Sequence, residues 1–286
     1  MGGGGGGLKK FQNRKRYPTA ILIGAQKCGT TTLKKFLNFH PSIVAASHEP
    51  QYFNKDANFE HSPNYQVYLD FMEPSLPNQI TLEKTPYFAL RNTPERVRNY
   101  EKFLGVKLKL ILIVREPIHR AVSWFHHQLS DGTLDSGANI TEWLLRKNAS
   151  YIWGSKYGYH LNLWLKYFDR TQFLFLDGEK FTKDNPAIIL RKVERFLQIS
   201  NYFKDEDFGF TLDKPGFYCY LRQQNGCLLS RGKTSYPKRL TKSGFEILKK
   251  KLEPELRLFT ELAQIKLNWT VGQGCQDFMF SHELTA

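Results

Sequence analysis

Cysteine is scarce in this chain, four in 286 residues, which is too few for a disulfide scaffold to stand in for a hydrophobic core. Long apolar runs are missing too. No stretch approaches the ~20 residues of a membrane span, and no apolar segment of a secretory signal is visible. Acidic residues are outnumbered, 27 against 41 Lys and Arg, for a formal net charge of +14. Repeats, low-complexity tracts beyond the opening MGGGGGG, and recognisable nucleic-acid-binding motifs are absent as well, so the charge points to a polyanion other than nucleic acid. The glycine lead reads as an added linker, with the expectation that the natural N-terminus, and any membrane anchor it carried, lies outside this chain.

What is present is a chain 41% hydrophobic and 14% aromatic, long for one domain and short for two. Apolar runs with β-branched enrichment over 19–24, 79–84, 107–116 and 172–181 predict strands buried on both faces. Helical periods over 31–39, 94–103, 119–129, 157–167 and 186–197 lie between them, with a longer one at 242–264. This alternation predicts an α/β three-layer sandwich around a central, mainly parallel sheet. The expected organisation is a flexible basic lead-in over 1–17, one domain over 18–270 and a tail over 271–286.

The segment ILIGAQKCGTTT carries the chemistry. A strand reaching Gly24, four residues, then Gly29 and three threonines opening a helix make a βα turn with free backbone N–H groups at a positive helix end, an anion-binding arrangement. A nucleotide triphosphatase loop places its lysine after the second glycine, followed by a Mg²⁺-binding hydroxyl. Here Lys27 sits inside the turn, which excludes the usual triphosphate and metal geometry. A second strand ends at Arg115, and the helix after it carries Ser123. That pair suits a second phosphate, held bidentately by the guanidinium.

The order of GAQKCGTT, ASHEPQYFN, LEKTPYF, REPIHRAVSWFHHQ, FLDGEKF and GFYCYLRQQNGCLLSRGKTSYP resembles that of the sulfotransferases using 3′-phosphoadenosine 5′-phosphosulfate (PAPS), and more narrowly the heparan sulfate glucosaminyl sulfotransferases. The resemblance implies a P-loop-like, PAPS-binding sulfotransferase fold in which Gln26, Lys27, Cys28, Gly29, Thr30, Thr31 and Thr32 hold the 5′-phosphosulfate. It implies that Lys27 sits at the bridging oxygen, that Arg115 and Ser123 hold the 3′-phosphate, and that no metal is required. By the same resemblance Phe217 and Tyr218 fall where the family places aromatics near the adenine. Arg231, Gly232 and Lys233 belong to a basic loop over the donor phosphates, with Arg and Lys exchanged relative to the family pattern. Lysine and arginine are not equivalent donors.

By the same resemblance Glu49 is the general base, Lys84 and His127 line the reaction centre, and Gln51 and Asn54 join them in acceptor contact. Without the resemblance, Glu49 reads as a loop glutamate and His127 as a helix-surface residue. Gln51, Asn54, QKCGTT and the histidine–glutamine pair after SW lean to N-sulfation of glucosamine, which is the favoured expectation, whereas VREP leans to 3-O-sulfation. The expected acceptor is a heparan sulfate-type glycosaminoglycan, a polyanion that explains the basic surface. A different glycan or a small hydroxyl compound is the alternative. The spacing of Cys219 and Cys227 around an Asn-Gly turn signal suits a local disulfide, which the family also has. With the sequons at Asn139, Asn148 and Asn268, it points to the Golgi lumen.

Overall fold

A computed structural model describes residues 13–146, 150–212, 214–227 and 239–275. Its strands are β1 (Arg14–Lys15), β2 (Ala20–Gly24), β3 (Ile43–Ala45), β4 (Pro74–Ser75), β5 (Ile80–Lys84), β6 (Lys109–Val114), β7 (Phe173–Asp177), β8 (Phe208–Thr211) and β9 (Lys214–Tyr220). The helices are α1 (Thr30–Leu37), α2 (Tyr65–Asp70), α3 (Thr93–Leu104), α4 (Pro117–Ser130), α5 (Ile140–Leu145), α6 (Ser150–Trp153), α7 (Tyr157–Trp164), α8 (Gly178–Lys183), α9 (Ala187–Leu197) and α10 (Lys242–Ala263).

The central sheet has the order β3-β5-β2-β6-β7 with every pairing parallel. All five residues of β2 are buried, as are Leu110–Val114 of β6, because helices cover both faces of an all-parallel sheet. The chain leaves β2 through α1 toward β3 on one side of the sheet. It leaves β6 toward β7 on the other. The carboxyl ends of β2 and β6 therefore flank the switch point where α/β sheets bind ligands. α10 packs along α7, and the β8–β9 ribbon is a separate antiparallel pair.

The predicted strands and long helices are present, and the differences from expectation have local causes. The run over 172–181 is strand only to Asp177, because the Asp177 side chain accepts from the Glu179 and Lys180 N–H groups and starts α8. The edge strand β3 is too short to show a period. The last residues of the lead-in, from Arg14 on, are tied to the fold. β1 pairs with β4, Arg16 Nε donates to the Ser75 carbonyl at 3.0 Å, and the Tyr17 ring lies edge-on to Phe103 at 5.3 Å. At the other end Val271 and Cys275 are buried, so packing continues past residue 270.

Leu22→Ala, at the centre of β2, is expected to destabilise the protein by about 2–5 kcal/mol. Urea unfolding should show a lower midpoint at unchanged slope.

Candidate active site

β2 ends at Gly24, whose φ is +144° and where a Cβ would lie 3.0 Å from Phe88 Cβ. Only glycine lets the chain leave the strand this way. The Ala25 N–H then donates to the Ile113 carbonyl at 2.7 Å, hooking the turn onto β6. Gln26 and Lys27 are half-buried, and Lys27 holds φ 68°, a left-handed conformation uncommon for a residue with a side chain. Gly29 caps α1; no side chain caps the helix and no acid lies in its first turn. The first N–H groups of α1 and its positive end are thus left for an external anion. Thr31 is exposed, Thr32 half-buried and Thr30 buried. Cys28 turns the other way. Its side chain is in the core with Sγ 3.6 Å from the Tyr157 hydroxyl, and its N–H is given to the Ala25 carbonyl. Burial pushes its thiol up, outweighing Tyr157, Arg120 and Arg115, which pull it down, so the thiol is an inert packing group.

Three segments distant in sequence meet beside this loop. Lys84, the buried last residue of β5, forms an ion pair with Glu49 and donates to Thr31 Oγ1 at 3.2 Å. The loop bearing Glu49 is clamped by Lys34 Nζ, which donates to the Ala46 and Ser47 carbonyls at 2.6 and 2.8 Å. Burial, and then the Lys84 charge, depress the Lys34 pKa. Next in β5 lies Glu83, fully buried, accepting from Thr85 Oγ1 and from the Tyr68 hydroxyl. Burial pushes its carboxyl up to about 8, against the pull of those two hydrogen bonds and with help from the Glu49 charge. Thr85 Oγ1 in turn accepts the Gln51 N–H at 3.4 Å. Gln51 and Asn54 are exposed on the same loop. His127, near the end of α4, is half-buried, with its ring 5.3 Å from that of Trp124 and Nε2 3.6 Å from Asp131 Oδ2.

Arg115 follows β6 directly. Its Nε donates to Glu179 Oε1 at 3.2 Å, and its carbonyl accepts from the Tyr157 hydroxyl at 3.1 Å. Glu179 also accepts from the Glu116 N–H at 3.2 Å and faces His119 Nδ1 at 3.4 Å. Burial alone would raise its pKa, but the His119 hydrogen bond and the Arg115 charge prevail and hold it at about 2. Glu116, the next residue, is turned into the fold. It is buried, caps α4 through the His119 N–H at 2.6 Å, and takes the Gly272 N–H at 2.9 Å and the Cys275 thiol at 3.4 Å. Among the described residues Glu116, His119 and Cys275 are the one group with metal-ligand spacing. Their polar atoms are engaged in stitching the 272–275 turn to α4, with His119 Nε2 3.1 Å from the Gly274 carbonyl. Ser123 lies half-buried on the second turn of α4.

The β8–β9 ribbon carries Phe217 and Tyr218; the Tyr218 ring packs on Phe210 at 4.5 Å. The Cys219–Cys227 disulfide is formed, and Lys35 of α1 donates to the Cys227 carbonyl, tying the ribbon to the helix that follows the Lys27 turn. Arg231, Gly232 and Lys233 lie outside the described residues. Sequence reasoning missed Lys34, Glu83, Glu116, His119, Arg120 and Glu179. Of these, only Glu116 and Glu179 carried a local sign, the acid just before or within a helix's first turn.

A family model described as "Sulfotransferase domain" matches residues 18–208. Two curated relatives are heparan sulfate glucosamine 3-O-sulfotransferases of mouse. The chain is 36% identical to 3A1 over 215 residues, 73% of this chain and 52% of that protein. It is 33% identical to 5 over 271 residues, 89% of this chain and 75% of that protein. The chain thus spans about half the length of the first of these. Among solved structures, a sulfotransferase from Alicyclobacillus acidocaldarius superposes with a TM-score of 0.67 at 18% identity, over 88% of this chain and 98% of that one. Mouse sulfotransferase SULT7A1 complexed with PAP gives 0.51 at 19%, over 88% and 90%. At these identities the structures establish the shared fold.

Two of the buried carboxylates give opposite pH signatures. Glu179 is lowered from 4.5 to about 2, so its stabilising effect is present above pH 4.5 and lost as pH falls toward 2. Glu83 is raised from 4.5 to about 8, so the folded state holds its proton longer and stability declines as pH rises from 4.5 to 8. Glu83→Gln should flatten that decline in unfolding measured across pH 5–8. An unchanged slope would remove Glu83 as its source.

Proposed function

The chain belongs to the sulfotransferase domain family, among the heparan sulfate sulfotransferases, and from that premise we propose that it transfers the sulfuryl group of PAPS to a glucosamine of a heparan sulfate-type chain. The observation that carries the reading is the meeting of Glu49, Lys84 and Thr31 beside the Lys27 turn, at the switch point of the sheet. In the proposed reaction the acceptor hydroxyl or amine attacks sulfur and gives its proton to Glu49 as the new bond to sulfur forms. The bridging S–O bond breaks and its electron pair leaves on the phosphate. Lys27 and the N–H groups at the start of α1 neutralise that charge as it develops. Lys84 orients Glu49, and Arg115, fixed by Glu179, meets the 3′-phosphate together with Ser123. Positioning of a pre-activated group supplies most of the rate.

Two observations bear on the acceptor atom. The relatives named above are 3-O-sulfotransferases, which favours the 3-hydroxyl. Gln51, Asn54 and His127 match the N-sulfotransferase pattern, which favours the amine as the second reading. A lumenal, oxidising compartment such as the Golgi is supported by the Cys219–Cys227 disulfide. No described helix is long and apolar enough to cross a membrane.

Calorimetry in the presence of a chelator is expected to show PAP binding, weakened by about tenfold or more in Lys27→Ala. Mg²⁺–ATP binding in its place would sink the donor assignment. Glu49→Gln should lower kcat by about 10²–10⁴-fold with PAP affinity nearly intact, and wild-type turnover would dismiss Glu49 as base. Transfer of labelled sulfate to N-acetylated heparosan, de-N-sulfated heparan and N-sulfated heparan, with positional analysis of the product, separates 3-O from N transfer.

A further inference from the structure

The loop that carries Glu49 is held at both ends. Before Glu49, Lys34 of α1 donates to the Ala46 and Ser47 carbonyls. After it, two consecutive backbone N–H groups are given to two buried hydroxyls. Gln51 donates to Thr85 Oγ1 at 3.4 Å and Tyr52 to the Tyr87 hydroxyl at 3.2 Å. Gln51 takes φ 49° there, a left-handed conformation that persists in a residue with a side chain only where its surroundings over-determine it.

The Thr85 hydroxyl is in turn held by Glu83, donating to one carboxyl oxygen while the Tyr68 hydroxyl donates to the other at 3.3 Å. Alternation along β5 sends Glu83 to one face of the strand and Lys84 to the other, where Lys84 meets Glu49 and Thr31. The titratable and charged groups around Glu83 are Tyr68 of α2, Tyr87 just after β5, Tyr100 of α3, Lys34 of α1, and Lys84 and Glu49 on the reaction side. Lys84 thus stands near two carboxyl groups, and its ion pair is with Glu49. A charge on Glu83 would draw the lysine from Glu49 and repel an anionic donor. Burial keeps the Glu83 proton in place up to about pH 8, which leaves the Lys84 charge to Glu49.

We propose that Glu83 and Thr85 are positioning residues for the transfer: uncharged Glu83 fixes the Thr85 hydroxyl, which holds Gln51 left-handed and so keeps Glu49 at Lys84. Their role rests on the reading of Glu49 as base given above. Thr85→Val keeps the shape of the side chain and removes the hydroxyl. Its kcat is expected to fall by about tenfold or more with the KM for PAPS little changed, and Thr85→Ser to restore most of the loss. Glu83→Gln, the conservative and permanently neutral variant, is expected to keep most of the wild-type kcat at neutral pH. The wild type loses the Glu83 proton as pH rises through about 8, so the ratio of Glu83→Gln to wild-type kcat should be level in mild acid and climb on the alkaline side. Taking the ratio cancels the titration of acceptor and donor groups. Wild-type turnover in Thr85→Val, or a Glu83→Gln ratio that is low or level throughout, overturns the proposal. Amide hydrogen exchange needs no substrate and so separates its failure from that of the functional reading. Faster exchange at Gln51 in Thr85→Val, with the central sheet protected as in wild type, upholds the hold on the loop even where no sulfate is transferred. Unchanged exchange at Gln51 overturns it, even where transfer succeeds.

Discussion

The structure depends on one topological constraint: β2 and β6 lie side by side and parallel, yet the chain leaves their carboxyl ends in opposite directions. The turn after β2 and the arginine after β6 are thereby forced to flank one crevice. Each is then anchored to the other's strand or helix. Ala25 donates to Ile113 of β6, and Arg120 of α4 donates to the Gln26 carbonyl. Lys27 and Arg115 therefore hold a fixed spacing because their backbones are joined through the sheet, as the proposed two-point grip on one donor requires.

Around that crevice, buried glutamates act as brackets. Glu116 closes α4 and the 272–275 turn, and Glu179 holds Arg115 and His119. Farther out, Glu101 takes the Leu108 N–H at 2.8 Å, and Glu194 takes those of Tyr202 and Phe203 at 2.9 and 3.0 Å. A buried carboxylate is costly unless its oxygens are satisfied. Here each acid takes at least one backbone N–H from another segment or from a helix start, so it fixes a connection as well as itself, while Glu194 Oε2 is left without a hydrogen-bond partner. Glu83 is the exception in sign. Its partners are hydroxyls in an aromatic surround, and it stays protonated well above the ordinary carboxylate range.

Much of the fold was legible because its signals are local. Doubly apolar runs announced β2, β5 and β6, and periodicity announced α3, α4, α9 and α10. Short elements such as β3 and α8 were hidden, since three residues carry no period and a side-chain cap can end an apolar run without changing its composition. In the site, the turn around Lys27 was readable from glycine spacing, and Glu49 only through family resemblance. Lys34, Arg120, His119 and Glu179 were not readable, because their meaning lies in partners 12 to 94 residues away in the chain.

By itself, then, the sequence determined the strand–turn–helix unit, the lysine inside the turn and the excess of positive charge, all set by residues within a few positions of one another. Only the tertiary structure decided that Cys28 faces the core and that Lys84 reaches both Glu49 and Thr31. It also decided that Glu116 is spent on a helix cap while Glu179 grips Arg115, and that Gly154 makes room for the Arg120 guanidinium. Those outcomes rest on burial and on which oxygen is nearest, quantities that exist only once the sheet has brought distant segments together.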